Sequence, residues 1–159
     1  MPMVNFLEEL FPGLLKGNYR FTSPKDTHYN CIAWAAGDTE KWWWPGPKVN
    51  EEYWPPGVTR EVSLTVFREV FASLGYQVCQ EEESELGFEK IALFGDSQGK
   101  PTHAARQLPN GRWASKLGRR EDLEHALHDL AGTVYGSVVL IMRRPVALVE
   151  GKITEEKNC

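Results

Sequence analysis

Cys31 opens a short predicted helix in the stretch Tyr29-Asn30-Cys31-Ile32-Ala33-Trp34-Ala35-Ala36-Gly37. Asn30 suits an N-cap, Ile32 to Ala36 supplies helix formers, and Gly37 suits a stop. The first backbone N–H groups of a helix have no intrahelical partner, and the aligned peptide dipoles add partial positive charge there. A thiolate is favoured at such a point, so the sequence predicts a lowered pKa for Cys31 and a nucleophile. The competing reading is that a free cysteine is a small buried hydrophobe.

A base for that thiol is predicted on a hairpin. Thr102 to Leu108 and Arg112 to Leu117 read as strands around Pro109-Asn110-Gly111, where proline and asparagine fit a type I turn and glycine fits the left-handed bulge position. That loop pairs Leu108 with Arg112, Gln107 with Trp113, Ala105 with Ser115 and His103 with Leu117. His103, Ala105, Gln107, Trp113 and Ser115 then share one face of a sheet. Small neighbours leave room for another group to approach His103; a surface strand histidine is the alternative. The other three histidines lie elsewhere. His28 falls in a polar loop. His125 and His128 fall on a predicted helix from about Glu121 to Leu130, pointing away from its apolar side of Leu123, Ala126, Leu127 and Leu130, with a contact from His125 to a neighbouring loop as the other option.

These residues need a scaffold. Asn5 can cap a segment Phe6 to Leu10, and the polar run Gly17 to His28 reads as a loop delivering the chain to Cys31. Residues 38 to 58 hold Trp42, Trp43, Trp44, Tyr53 and Trp54 among prolines and glycines, a composition that excludes helix and central strand. Such an aromatic loop is either a wall of a substrate groove or a plug at the core's edge. Apolar residues at steps of three and four predict a helix between Thr59 and Leu74, stopped by Gly75. Strands are predicted at Tyr76 to Cys79, Glu89 to Phe94 and Tyr135 to Met142, with an edge strand within Val146 to Ile153 and a mobile tail over Thr154 to Cys159. Glu81 to Glu85 is a solvated acidic loop, and Cys79 reads as structural.

The chain of 159 residues, 42% hydrophobic, is sized for one domain, 1–159, with a sizeable core. A net charge of -4 with scattered Lys and Arg offers no basic stripe, so nucleic acid is not an expected partner. The acidic amino terminus does not suit a signal peptide and no run approaches a membrane span, so a soluble, cytoplasmic protein is expected. Three widely spaced cysteines, Cys31, Cys79 and Cys159, predict neither a disulfide framework nor a zinc site, and no metal or cofactor is expected.

Tyr29-Asn30-Cys31-Ile32-Ala33 at a helix start, followed by a histidine opening a hairpin, resembles the papain-like fold in its compact NlpC-type form. The resemblance covers roughly Tyr29 to Leu117. It implies an α+β single domain in which an N-terminal cysteine helix packs on an antiparallel sheet. It also implies a third polar residue about a dozen positions after the histidine, which falls on Ser115. Departures from the family pattern are Asn30 for an acid, Ile32 and Ala33 for Ser and Gly, and Ser115 for His, Asn or Gln. Tyr-Asn-Cys-Ile-Ala-Trp-Ala, Asn-Gly-Arg-Trp-Ala-Ser-Lys-Leu-Gly and a later Tyr-Gly are also similar to a family of uncharacterised bacterial proteins.

The expected activity is cleavage of an amide or peptide bond. Cys31 attacks the carbonyl, His103 carries the proton, and Ser115 or Gln107 orients the imidazole. Asn30 and the helix-start N–H groups receive the oxyanion, and Trp42, Trp43, Trp54 and Gln107 contact the substrate. Acyl transfer, including transglutaminase-like chemistry, shares the same nucleophile. The alternative is a non-catalytic protein- or peptide-binding module whose contact surface is the Trp-rich loop 42–54.

Overall fold

In the computed structural model, which describes residues 3–146, 148–149 and 152–153, the chain forms an α+β fold built on one seven-stranded antiparallel sheet. Helix α1 (Met3–Leu10) and a 3-10 turn (Pro12–Leu15) precede the edge strand β1 (Arg20–Ser23). Helices α2 (Cys31–Ala36) and α3 (Leu64–Ser73) follow, then β2 (Gln77–Cys79), β3 (Phe88–Gly95), β4 (Pro101–Gln107), β5 (Trp113–Lys116), β6 (Asp122–His125) and β7 (Ser137–Pro145). Strand order is β1-β6-β5-β4-β3-β7-β2. Two-residue strands β8 (Leu148–Val149) and β9 (Lys152–Ile153) pair with each other and, among the described residues, not with the main sheet, which the predicted edge strand therefore does not extend there. The tail 154–159 lies outside the described residues.

Each face of the sheet carries its own apolar layer. On one, α2 and α3 bury Ile32, Ala33, Phe67, Val70 and Phe71 against Ile91, Leu93, Ala104 and Met142. On the other, Leu7, Phe11 and Leu14 cover Ala92, Phe94, Ala105, Trp113, Leu123 and Leu130. Alternation along β3 and β4 sends successive side chains to opposite layers, which is the pattern of a central strand buried on both sides. Among the described residues no helix is long and apolar enough to cross a membrane.

The hairpin forms in the register its loop dictates. Gln107 pairs with Trp113 and Arg106 with Ala114, the Leu108 N–H donates to the Arg112 carbonyl at 2.7 Å, and Gly111 takes φ 91°. Other elements differ from the sequence reading. Asn5 lies inside α1 rather than capping it, and the loop 17–28 contains β1. α3 starts at Leu64, not Thr59, because the preceding residues hold the aromatic loop: the Arg60 guanidinium donates to the Gly46 and Glu52 carbonyls, and the Trp54 indole donates to the Thr59 carbonyl. Ser63 caps the helix, its hydroxyl accepting from the Val66 N–H at 3.2 Å. Ser63→Ala is expected to lower stability by about 1 kcal/mol, the usual worth of such a cap, and Ser63→Asp to retain most of it; urea unfolding measures both.

The largest departure is the expected helix 121–130, which is strand β6 followed by a 3-10 turn (Leu127–Leu130). Leu123 and His125 face the α1 layer. Asp122 and Glu124 face the other side, where they are buried but paired. Asp122 accepts from the Ser23 hydroxyl at 2.6 Å and the Tyr29 hydroxyl at 3.1 Å, and Glu124 bridges Arg20 and Arg112. Buried carboxylates persist when partnered in this way.

Candidate active site

Cys31 occupies the first position of α2, as its flanking residues require. The Asn30 side chain accepts from the Ala33 N–H at 3.1 Å and the Trp43 N–H at 3.2 Å, and donates to the Trp43 carbonyl at 2.7 Å. Asn30 therefore caps the helix and clamps the aromatic loop to it; its amide is committed to the backbone rather than turned to a reacting carbonyl. The sulfur faces the backbone N–H groups of Ala104, Ile32 and Cys31 itself. The expected lowering of its pKa does not occur. Burial pushes the thiol up to about 11, outweighing the N–H groups and the more distant Lys116 charge. A helix start favours a thiolate only where the charge keeps some hydration, and Cys31 is 8% exposed.

His103 is fully buried on β4, one residue before the Ala104 N–H that meets the sulfur. Its ring stacks on Tyr135 at 3.9 Å between centroids and meets Phe94 edge-on at 5.2 Å. Nε2 lies 2.9 Å from Ser115 Oγ, as the shared face of the hairpin requires. Nδ1 is buried and has no hydrogen-bond partner among the described residues. Burial first, then the neighbouring His125, holds His103 well below the ordinary histidine range, so the imidazole is neutral at pH 7. Thiol and imidazole thus rest uncharged. Cys31 packs in the α2 layer with Ala104, while the His103 ring lies among α1-layer side chains, and no hydrogen bond joins the two. The fold brings them to the same end of β4, from opposite sides.

Tyr135 belongs to both surroundings. It is stacked on His103, and its hydroxyl is pushed well above the usual phenol range by burial and by the nearby Cys31. It rides on Gly132-Thr133-Val134-Tyr135-Gly136, whose end glycines exchange two backbone hydrogen bonds of 2.8 Å, and the Thr102 hydroxyl holds its carbonyl at 2.5 Å. Nothing in a Thr-Val-Tyr-Gly run marks it as a cover for a histidine thirty-two positions earlier in the chain.

His125 is the other member that the sequence misplaced. Rather than pointing to solvent from a helix, it is fully buried on β6, with Nε2 2.8 Å from Ser115 Oγ and Nδ1 2.7 Å from the Ala126 carbonyl. Strand alternation in Asp122-Leu123-Glu124-His125 was the available signal, masked by the helical spacing of Leu123, Ala126, Leu127 and Leu130. His28 and His128 are exposed, against Asp26 and Glu82.

The remaining predicted site residues divide. Gln107 lies four residues along β4 from His103, roughly 13 Å at strand rise, and its amide donates to the Glu82 carbonyl at 2.8 Å and the Gly111 carbonyl at 3.3 Å, so it ties the hairpin tip to the acidic loop and cannot orient the imidazole. Trp43 and Trp54 are core residues, not groove wall: the Trp43 indole donates to Asp38 at 2.8 Å and Trp54 packs on Phe67. Trp42 alone of the three lines a groove, of about 570 Å³, with Tyr53, Lys48, Arg119 and His28. Among the described residues, no group of three or more His, Cys, Asp or Glu side chains is placed to hold a metal ion.

No curated protein and no solved structure matches the chain. One family model does, over residues 20–143, a span that holds α2, the hairpin, β6 and Tyr135. The chain therefore belongs to the family described as Domain of unknown function (DUF7689).

Proposed function

We propose that the chain is a thiol hydrolase of amide or peptide bonds, related in layout to the papain-like NlpC-type enzymes, with Cys31 as nucleophile and His103 as general base. The observation that carries this reading is the buried, unpartnered Nδ1 of His103, on a ring whose Nε2 is fixed by Ser115. Buried polar atoms without a partner are rare, and on a neutral imidazole a bare ring nitrogen is an acceptor able to take a proton. In the reaction the Cys31 S–H proton passes to Nδ1 as the sulfur attacks the carbonyl carbon. The Ala104 and Ile32 N–H groups, which meet the sulfur, would stabilise it as it loses its proton, the imidazolium returns the proton to the departing amine, and water then hydrolyses the thioester to the acid and the free thiol. With the thiol and the imidazole both neutral at rest, the proton moves only during attack, as general-base transfer requires, and only in a conformation that brings the sulfur round the end of β4 to the ring.

Because the sulfur and His103 are buried, substrate entry requires Tyr135 to leave the His103 ring. Tyr135→Ala is expected to raise the rate of Cys31 alkylation by iodoacetamide at least about tenfold, as an opening equilibrium made easier by ~1.4 kcal/mol would. A rate unchanged against that of Cys79 would show that Tyr135 is not the cover.

The hydrolase reading is tested by acylation. With a p-nitrophenyl acyl ester, one equivalent of nitrophenol per chain should be released in a burst, and the acyl group should map to Cys31 by mass spectrometry. Cys31→Ser should abolish the burst. Acylation spread over Cys79 and lysines, or none, overturns the reading.

The Trp42 groove favours a second reading, a peptide-binding module, since it is open where the thiol is sealed. Peptide binding lost in Trp42→Ala yet retained in Cys31→Ser, with no acylation, would select it.

A further inference from the structure

His125 has no part in the reaction as written, yet it is buried and joined to His103 through a single hydroxyl. A carbonyl oxygen can only accept, so His125 Nδ1, 2.7 Å from the Ala126 carbonyl, carries the proton. In a neutral ring His125 Nε2 is then a lone pair, and the Ser115 hydroxyl, 2.8 Å away, must donate to it. The same hydroxyl has one hydrogen, so toward His103 Nε2, at 2.9 Å, it can only accept, which places a proton on that nitrogen. His103 Nδ1 is left bare, and this is the nitrogen with no partner. Every step follows from donor and acceptor capacity, starting at a main-chain carbonyl whose role cannot change.

We propose that His125 is a positioning residue that sets the tautomer of His103, through Ser115, so that the nitrogen left without a partner is always the basic one. The proposal rests on the hydrolase reading for its purpose, but the tautomer assignment stands on the hydrogen-bond chain alone. Ser115 by itself cannot impose a direction, because a hydroxyl donates or accepts equally well; the direction is supplied by His125. That answers why serine suffices between the two rings. The charged groups nearest His125 are Arg112 and Glu124, and burial, with Arg112, outweighs Glu124 and the Ala126 carbonyl in holding the ring neutral at pH 7, as the chain of donors requires.

The decisive measurement is the nitrogen-15 NMR spectrum of the histidine rings in the full chain at pH 7, assigned by substituting the exposed His28 and His128. Wild type should show His103 protonated on Nε2 and bare on Nδ1, and His125 the reverse. In His125→Leu the serine hydroxyl loses its acceptor and is free to donate to His103 Nε2, so His103 should no longer hold a single tautomer and should carry its proton on Nδ1 in part of the population. Cys31 alkylation at pH 7 should then fall in proportion to the fraction of His103 whose Nδ1 is still bare, about twofold where the two tautomers are equally populated. His125→Gln, whose amide oxygen can accept from Ser115, should keep the wild-type tautomer of His103 and most of the rate. A wild-type His103 protonated on Nδ1, or a tautomer unmoved in His125→Leu, overturns the proposal. Should leucine unfold the chain, the wild-type spectrum decides alone. A tautomer that moves as stated while alkylation is unassisted in every form upholds the relay and counts against the hydrolase reading.

Discussion

Replacing His103 with alanine is expected to slow alkylation of Cys31 at pH 7 by roughly 10²–10³-fold, the contribution of a well-placed general base. Burial holds the thiol near 11, so without help a thiolate is present at pH 7 as only about one part in 10⁴. On the proposed reading wild type would escape that limit, because a neutral imidazole would take the proton during attack. Since His103 ionises well below the ordinary histidine value, the wild-type rate should be flat from about pH 6.5 to 8, falling in acid, where the imidazole is protonated, and rising above that range only as the free thiolate takes over. His103→Ala should instead climb about tenfold per pH unit toward the thiol's own pKa. His103→Gln, which preserves a donor to Ser115 without a base, should follow alanine and guards against a loss that is merely structural. Cys79, half-buried and remote from His103 in the fold, serves as the reference within the same chain. If wild type and both variants share one steep pH dependence, Cys31 is an ordinary buried thiol and no base acts on it.

That experiment probes the point at which the sequence misleads about chemistry. Asn30, Cys31 and Gly37 announce a helix and its start, and the structure places all three as expected. The sign of the pKa shift is set elsewhere, by Ile32, Ala33 and Ala104, whose burial removes the water a thiolate needs. Helix position is local information. Hydration is not, because it depends on what β4 brings against the helix.

The same division separates the histidines. Pro109-Asn110-Gly111 fixes a register, the register fixes a face, and His103 and Ser115 fall on it together; all of this is written in fewer than twenty consecutive residues. His125 is not legible in that way. Its strand contains Asp122 and Glu124, which read as solvent-facing until Arg20, Ser23 and Tyr29, about a hundred positions earlier, are known to meet them. β1 is missed for the same reason: it is a short, mostly polar edge whose partner is that misread segment. The aromatic loop shows the converse case. Its composition excludes regular structure correctly, but only Asn30, Asp38, Thr59 and Arg60 decide that Trp43 and Trp54 turn inward while Trp42 lines the groove.

The turn that stacks Tyr135 on His103 makes the second large effect, and Gly136 is where it can be broken. Gly136 has φ +78°, and a Cβ there would lie 1.9 Å from the Gly95 carbonyl oxygen and 2.7 Å from its carbon, both backbone atoms that cannot rotate away. Gly136→Ala is expected to destabilise the chain by about 3–5 kcal/mol, among the larger effects of a single substitution. Left-handed φ alone accounts for only about 1–2 kcal/mol of this. Gly99→Ala separates the two contributions, since Gly99 has nearly the same φ, +80°, and open space where its Cβ would go. It should lose only the conformational part, and the difference in unfolding free energy between the variants, measured in urea, is the cost of forcing Gly95 and Gly136 apart. The consequence reaches the site because Gly136 follows Tyr135 and Gly95 follows Phe94, the two rings against His103. Under conditions where Gly136→Ala remains folded, Cys31 should therefore alkylate faster than in wild type, as it does in Tyr135→Ala, whereas Gly99→Ala should leave that rate unchanged. Equal destabilisation by both alanines, or an unaltered Cys31 rate in folded Gly136→Ala, would mean that the Gly95–Gly136 approach does not hold Tyr135 over the imidazole.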